Sequence, residues 1–532
     1  MINKIFHYHR SSKHNQHAFA PAPGYMDWES QPDPFRRYEG AEVLPLIKTA
    51  PTEKPTFSEA LKSNTIPVNP LNLESISQLF FDCLALSAWK SFQGSKWALR
   101  VNPSSGNLHP TEGYLVCGPI QDLLDKPSVF HYSPKTHALE FRTHFSVATW
   151  EKMLQGFPKE TLFVGLSSIH WREAWKYGHR AYRYCHHDLG HALAALNISS
   201  AGLGWRTHLM NSLSHEDLEI ILGLPYKEDV EVEVPDCLVA VFPKDNEVKP
   251  TQSDFVQGFS DLDWQGTPNI LSKKHMEWSG IDEVSNAARK PDNSIPNASN
   301  LEDCSNLIKD DVFPLRKAIH QRRSAVAMDG KTRIARDVFY QFLIKTIPNA
   351  CPLPFQTFAW EPQVHLGLFV HRVDDLPRGL YFLVRNKNHL QDLQATFNKH
   401  FKWEKPEDCP DELDLFLLEE YDCRRMAAGV SCGQEIAGAG CFSLGMISAF
   451  EAPLKQYGPW FYPRLYWECG AIGQVLYLQA EVSGIRSTGI GCFFDDPVHQ
   501  IFGIKDLNYQ SLYHFTVGGP VDDNRLTTLP PY

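Results

Sequence analysis

Four short segments of this 532-residue chain carry side chains that could grip a small anionic or planar ligand. The run Pro103-Ser104-Ser105-Gly106-Asn107-Leu108-His109-Pro110 sets small hydroxyl residues around a glycine. Such a loop lets backbone amides approach a flat ligand closely, while the Asn107 amide both donates and accepts. The same composition is also ordinary turn chemistry. Arg322-Arg323-Ser324, within AIHQRRSAV, offers two guanidinium groups and a hydroxyl, a set suited to clamping a phosphate through charge-assisted hydrogen bonds. Arginines near a helix end equally favour the macrodipole. Gly489-Ile490-Gly491, in TGIGCFFDD after a long helical pattern, would present backbone N–H groups to an acceptor, although helix C-caps also select glycine. Arg525, in the tail VGGPVDDNRLTTLPPY, could add a third cation or stand solvated.

Two other kinds of chemistry are weaker. His187 and His191, with His186 and Asp188 beside them, lie on one face of a predicted helix, as helical zinc sites require. No Glu stands between them in the HExxH manner and no third ligand is evident, so hydrogen-bonded helix histidines are the better reading. The 12 cysteines are scattered without a CxxC pair, which argues against a zinc ribbon or a disulfide-stapled secreted domain. Cys432, Cys441 and Cys492 sit in apolar, glycine-rich surroundings and read as core residues rather than nucleophiles.

The elements that must position these residues fall into two large blocks, as expected for a chain too long for one core. Residues 1–54, rich in His, Pro and aromatics, predict an irregular extension rather than a helix or strand. Residues 244–311 read as a linker with one short helix around IDEVSNAARK. The blocks at 55–243 and 312–532 share matching features in the same order, the signature of an internal duplication. Each opens on an amphipathic helix pattern, FSEALKSNTIPVNPLNLESISQLF and LRKAIHQRRSAVAMDGKTRIARDVFYQFL. Each continues with a strand candidate, EGYLVC and HLGLFV, and a hairpin-like stretch, VFHYSPKTHALEFR and LYFLVRNKNHLQDL. Each then has a long helix followed by a Gly-X-Gly, the pairing of Gly190 with Gly473 putting Gly202-Leu203-Gly204 four residues short of Gly489-Ile490-Gly491. Long helices with fewer, separated strands predict an α+β sandwich, and two copies predict an intrachain pseudo-dimer. A formal net charge of −11 disfavours nucleic acid and anionic lipid. The N-terminus has no apolar signal run and no stretch reaches a membrane span, so a reducing cytoplasm is expected.

Taken together, the motifs resemble the nitroreductase superfamily, and specifically its SagB-type branch related to the thiazole/oxazole-forming dehydrogenases. PSSGNLHPTEGYLV and WREAWKYGHRAYRY carry the resemblance most directly, and HYHRSSKH and DWESQPDPFRRY look like the opening of tandem members. The resemblance implies an FMN-dependent oxidoreductase that exchanges hydride at flavin N5. One half would supply Arg-Arg-Ser to the phosphate and Gly-X-Gly to the ring edge, and the other the Pro-Ser-Ser-X-Asn loop. The first block keeps PSSGN but reads Lys62-Ser63-Asn64 at the arginine position; the second keeps Arg322-Arg323-Ser324 but reads WEPQV where the serine loop belongs. Complementary losses predict one composite FMN site per chain. The resemblance also makes Lys176 and Tyr177 the proton-handling pair, since a partly desolvated lysine near another cation can act as a base and a tyrosine as an acid; the second block has Gln456-Tyr457 there. NADH or NADPH is the implied electron donor, and a small molecule or a heterocycle in a modified peptide the substrate. The competing reading is a non-catalytic flavin-binding scaffold that kept the fold.

Overall fold

The structure, a computed structural model, describes all residues except 63–65, 122, 226–228, 247, 249–253 and 293–306. Two antiparallel sheets organise the chain. The first runs in the order Val43–Pro45, Ala138–His144, Ser128–Ser133, Thr111–Cys117, Leu162–Ile169, Glu233–Pro243, Trp205–Leu209. The second runs Leu415–Glu420, Gly379–Leu383, Val364–Val370, Phe442–Ala449, Tyr509–Gly518, Arg486–Ile490, which repeats the last six positions of the first. Central strands such as Leu162–Ile169 and Phe442–Ala449 are buried along their whole length, so they read as continuous apolar runs rather than alternating ones.

Between the sheets lie two 21-residue helices, Ala181–Ala201 and Tyr462–Val482. Because both are surrounded by protein, neither shows a one-sided apolar stripe. They touch backbone to backbone. A Cβ on Gly190 would stand 2.3 Å from the Trp467 carbonyl oxygen, and one on Gly470 2.2 Å from that of His187. Glycine is therefore required at the crossing by space alone.

Several sequence expectations need correction. The extension is not wholly irregular: Ile2–Ser11 is a helix that buries Ile5, Tyr8 and His9, a helical spacing hidden by the Pro-rich stretch after it. Tyr38–Glu39 pairs with Thr267–Pro268, so extension and linker strap one another, and the short linker helix stands at Ser279–Ala287. Each opening helix pattern is two helices, Phe57–Leu61 with Leu73–Cys83 and Leu315–Gln321 with Arg336–Ile344. Pro67 and Pro70 interrupt the first; Gly330, with φ +68, lies in the break of the second. The hairpin VFHYSPKTHALEFR forms, but its expected counterpart does not. Asn386 caps a turn by accepting the Asn388 N–H, a helix follows at Leu390–Thr396, and Gly379–Leu383 pairs instead with Leu415–Glu420. Finally, Tyr462 follows Ala181 and Arg486 follows Trp205 by the same 281 residues. That spacing puts His208-Leu209-Met210, not Gly202-Leu203-Gly204, in the place of Gly489-Ile490-Gly491.

Candidate functional site

A cavity of about 1090 Å³ opens where the two central helices, the serine loop and the second sheet's edge strand meet. Its wall includes Pro103, Ser104, Ser105 and Asn107 from one side, Arg322, Arg323 and Ser324 from another, and Gly489, Ile490 and Gly491 from a third. Segments more than two hundred residues apart thus face one space. Of the remaining sequence-based candidates, Tyr177 joins the wall and Lys176 stands behind the loop. Arg525 does not join: its side chain is 75% exposed, paired with Asp523 at 2.7 Å and placed over the Phe92 ring. Its neighbour Asp523 outcompetes the cavity for it, while Asp522 pairs with Arg486.

The serine loop is held in a conformation few sequences tolerate. Gly106, Asn107 and His109 all have positive φ, at +62, +57 and +51, a region costly for residues with a Cβ. Anchoring comes from Asp188, whose carboxylate accepts the Ser105 N–H at 3.1 and 3.2 Å, and from Ser104 Oγ, which accepts the His109 N–H. A Cβ on Gly106 would lie 2.7 Å from Tyr177 Oη and 3.0 Å from Lys176 Nζ. Lys176-Tyr177 therefore caps the loop directly. Tyr177 ends one helix before Gly178 (φ +55), and Tyr457 ends another before Gly458 (φ +105), so Gln456-Tyr457 holds the corresponding position.

Arg322-Arg323-Ser324 follows the helix Leu315–Gln321 rather than lying within it, and Arg322 is buried at 4% exposure. Its guanidinium donates to the carbonyls of Arg100 at 3.0 Å and Val101 at 3.2 Å. Arg323 donates to Ser87 Oγ and to the carbonyls of Ser87, His320 and Arg322. Neither arginine has a carboxylate ion pair among the described residues. Burial lowers the pKa of both, that of Arg323 to about 10 with the Arg322 charge adding to the effect.

Gly489-Ile490-Gly491 belongs to the edge strand Arg486–Ile490 and its exit, not to a helix C-cap. The Gly489 N–H already donates to Tyr477 Oη at 3.0 Å, which also lies 2.8 Å from Ser324 Oγ. These glycines have a packing reason: a Cβ on Gly489 would meet Tyr513 Oη at 2.0 Å, and one on Gly491 the Tyr184 ring at 2.4 Å.

Sequence reasoning missed three features of this site. Asp188, considered only beside the histidines, supports the serine loop, and burial raises its carboxyl to about 7. Glu173 lies behind it with both oxygens lacking a well-formed hydrogen bond; burial and then Asp188 push its carboxyl well up, against the pull of Lys176. The group beside Lys176 is therefore a carboxyl whose charged form burial disfavours, where the resemblance led us to expect a cation. The third feature is His14, which reaches the cavity wall from the N-terminal segment. That segment is held by a buried network in which Arg180 and Arg183 pair with Asp495 at 2.9 and 2.7 Å, keeping that carboxylate well below its usual range against its own burial. His187 and His191 are core-bound: His187 Nε2 meets the Leu512 carbonyl and its ring stacks on Tyr513, while His191 engages Gln474 and Tyr513. Cys441 is buried as expected, but Cys432 and Cys492 are only partly buried and face one another.

At the corresponding position in the second half, the turn before the strand Val364–Val370 is Phe355–Thr357. This, rather than WEPQV as a whole, is the counterpart of Ser105–Asn107. Phe355, Phe358 and Trp360 are buried there, and His208 stands where the other edge strand has Gly489. Lys62 pairs with Asp310; Ser63 and Asn64 lie outside the described residues.

Comparison with solved structures gives the fold. A protein of Anabaena variabilis, provisionally described as a nitroreductase, aligns with a TM-score of 0.70 at 21% identity, over 97% of this chain and 99% of its own. Over nearly its whole length the chain therefore has a nitroreductase-type fold. A second provisionally described nitroreductase, from Ralstonia eutropha, covers 42% of this chain and 96% of its own at 15% identity and TM-score 0.28. The E. coli microcin synthetase McbBCD complex covers 40% of this chain and 80% of the matched chain at 18% identity and TM-score 0.28. The last two are too distant to carry an argument. No protein-family model matches the chain, and no curated protein does. No helix among the described residues is long and apolar enough to cross a membrane.

Proposed function

We propose that the protein is an FMN-dependent oxidoreductase, a SagB-type dehydrogenase or nitroreductase-like enzyme, in which two fused halves form a pseudo-dimer around one composite flavin site. The observation that carries this reading is the shared cavity: the serine loop of the first half and the arginine pair of the second line the same space. Two adjacent arginines whose guanidinium groups donate only to neutral acceptors, with Glu481 held by the Arg323 backbone N–H instead, suit a phosphate dianion, because a buried charge is stabilised by a counter-charge. Two residues of the wall also carry buried acceptors. Asn102 Oδ1 and His109 Nδ1, on residues 2% exposed in the wall, have no hydrogen-bond partner among the described residues. His109 Nε2 faces the Ala98 carbonyl and burial lowers its pKa, so the ring is neutral and Nδ1 accepts. These groups suit the N–H and hydroxyl groups of a flavin and its sugar chain.

In this reading Arg322, Arg323 and Ser324 hold the phosphate, while Pro103, Ser104, Ser105 and Asn107 face the strand carrying Gly489, Ile490 and Gly491 across the ring. Bound FMN would supply two-electron hydride chemistry. Tyr177 keeps its phenolic proton at neutral pH, since burial raises its pKa with Glu173 adding to the shift, and it acts as hydrogen-bond donor to substrate. Lys176 exchanges a proton at Nζ, with the buried Glu173 carboxyl at its back. Tyr184 and Tyr513 form apolar walls that exclude water from these groups. NADH or NADPH is the electron donor, and a small molecule or a modified peptide the substrate.

The test is cofactor stoichiometry followed by anaerobic reduction. One FMN per polypeptide is expected after reconstitution. Two would overturn the single-site reading, and none would overturn the whole proposal. Bleaching of the bound flavin by NADH or NADPH with turnover supports the enzyme, whereas an inert flavin supports the scaffold.

A further inference from the structure

Nine of the eleven described cysteines are buried; the exceptions are Cys432 and Cys492. Their sulfurs are 2.8 Å apart, closer than unbonded sulfur atoms ordinarily sit. Cys492 directly follows Gly491 and lines the cavity. Cys432 comes from the turn between the helices Arg424–Val430 and Ile436–Ala439. There Cys432 (φ +55) and Gly433 (φ +72) are both left-handed, a conformation that a cysteine adopts only when its surroundings impose it. The surroundings do so on both sides. Gln434 Nε2 donates to the Cys492 carbonyl at 3.0 Å, and the Phe494 N–H donates to the Val430 carbonyl at 2.8 Å. Two loops 60 residues apart are thus pinned with their thiols in contact.

We propose that Cys432 and Cys492 are a redox-active dithiol, open to the cavity, that exchanges with small-molecule disulfides. The charge distribution makes Cys492 the attacking sulfur: donation from the Cys432 thiol, then His14 and Arg180, holds it down to about 5 against its burial. Cys432 moves the other way, kept protonated by the same contact. In the first step the Cys492 thiolate attacks one sulfur of the small disulfide, forming a mixed disulfide and releasing one thiolate. In the second, Cys432 loses its proton to that thiolate and attacks the Cys492 sulfur, expelling the second small thiolate. The protein loses two electrons and the small disulfide gains them, yielding two small thiol products and one Cys432–Cys492 bridge. A stabilised Cys492 thiolate is also a good leaving group, so excess small thiol reopens the bridge readily. This chemistry needs no flavin.

The experiment equilibrates full-length protein anaerobically in buffers of varying reduced-to-oxidised glutathione ratio, followed by acid quenching, alkylation and peptide mass mapping. The expected result is loss of two alkylatable thiols per chain with a two-electron dependence, and one cross-linked peptide joining Cys432 to Cys492. Cys432→Ser should stop at a glutathione adduct on Cys492, and Cys492→Ser should form neither bridge nor adduct at that site. Free alkylation of both thiols in the wild-type protein at the oxidising end would overturn the proposal, as would a Cys432→Ser variant without the adduct. Melting by circular dichroism checks that the serine variants fold; if they do not, mapping of the unaltered chain decides alone.

Discussion

Arg323→Ala separates an arginine that holds a phosphate from one that only shapes a wall. Every acceptor that the Arg323 guanidinium reaches is neutral, at 2.6 to 3.3 Å, although its backbone N–H donates to Glu481 at 3.1 Å, and its charge sits beside that of Arg322 in a partly dry site. A hydrogen bond to a charged group contributes about 1.5–3 kcal/mol, so two bonds from one guanidinium to a phosphate contribute at least about 3 kcal/mol. At about 1.4 kcal/mol per factor of ten, removing them weakens FMN binding roughly a hundredfold or more. The assay is titration of the apoprotein by flavin fluorescence, run in parallel with FMN and with riboflavin, which lacks the phosphate. Riboflavin affinity should change by less than about threefold, because no phosphate bond is lost. Equal loss of both ligands would refute the reasoning: Arg323 would then act through Ser87 alone. Arg322 is the less clean probe, since it also bridges the Arg100 and Val101 carbonyls and lies over the Tyr477 ring at 4.9 Å. Arg322→Ala with Arg323→Ala should abolish FMN retention during purification.

Lys62→Ala is the matched control; its ammonium is tied to Asp310, so FMN affinity should stay within about twofold by the usual small effect of surface ion pairs, and release of the flavin would place the site in the wrong half. Lys176→Ala and Tyr177→Phe should lower kcat by about a hundredfold, the scale of lost acid–base catalysis, with FMN content unchanged; an unaltered kcat for both removes them from the chemistry. The Asp188 carboxyl ionises near 3.9 in an unfolded chain but holds its proton to about 7 in the fold. The folded state therefore binds the extra proton between those values, and stability falls as pH rises through that window. Asp188→Asn should flatten the fall of Tm between about pH 4 and 7, leaving the shares due to Asp236 and Glu173, both raised in the same direction by burial; a parallel curve would show that Asp188 is ionised throughout. Gly489→Ala should lower stability by about 1–3 kcal/mol through overpacking, and Tyr513→Phe, which removes the clashing oxygen, should restore part of it; a neutral Gly489→Ala would disprove the steric role.

What was legible in the sequence was chemistry carried by neighbours in the chain. The serine loop and the arginine pair announce themselves because each concentrates its donors within five residues, and they do meet. Their backbone setting was harder to read. The Gly-X-Gly looked like a helix end because glycine serves caps and tight packing alike, and only the tertiary contact with Tyr513 and Tyr184 tells them apart. His14 and the Cys432–Cys492 contact were invisible because their partners lie on distant segments, and Glu173 because its burial is a tertiary property. Asp188 could have been found. Tyr184, Asp188 and His191 recur at intervals of four and three, a polar stripe on a helix otherwise surrounded by core, and all three face the cavity. Reading that stripe as a wall rather than as metal ligands required asking which side of a buried helix has room for polar groups.

The crossing of Gly190 against Gly470 bears on traffic. Two backbones in direct contact leave no side chain between them to slide or swing, so the halves cannot part like a clamshell to admit a substrate. The rim of the cavity is formed by exposed Val326 and, from the tail, by Val521, Asp522, Asp523, Asn524, Leu526 and Thr528. Changes in charge on that rim should alter how fast the cavity fills and empties, whereas shortening the tail should also lower the melting temperature, because Thr527–Leu529 pairs with Trp89–Ser91.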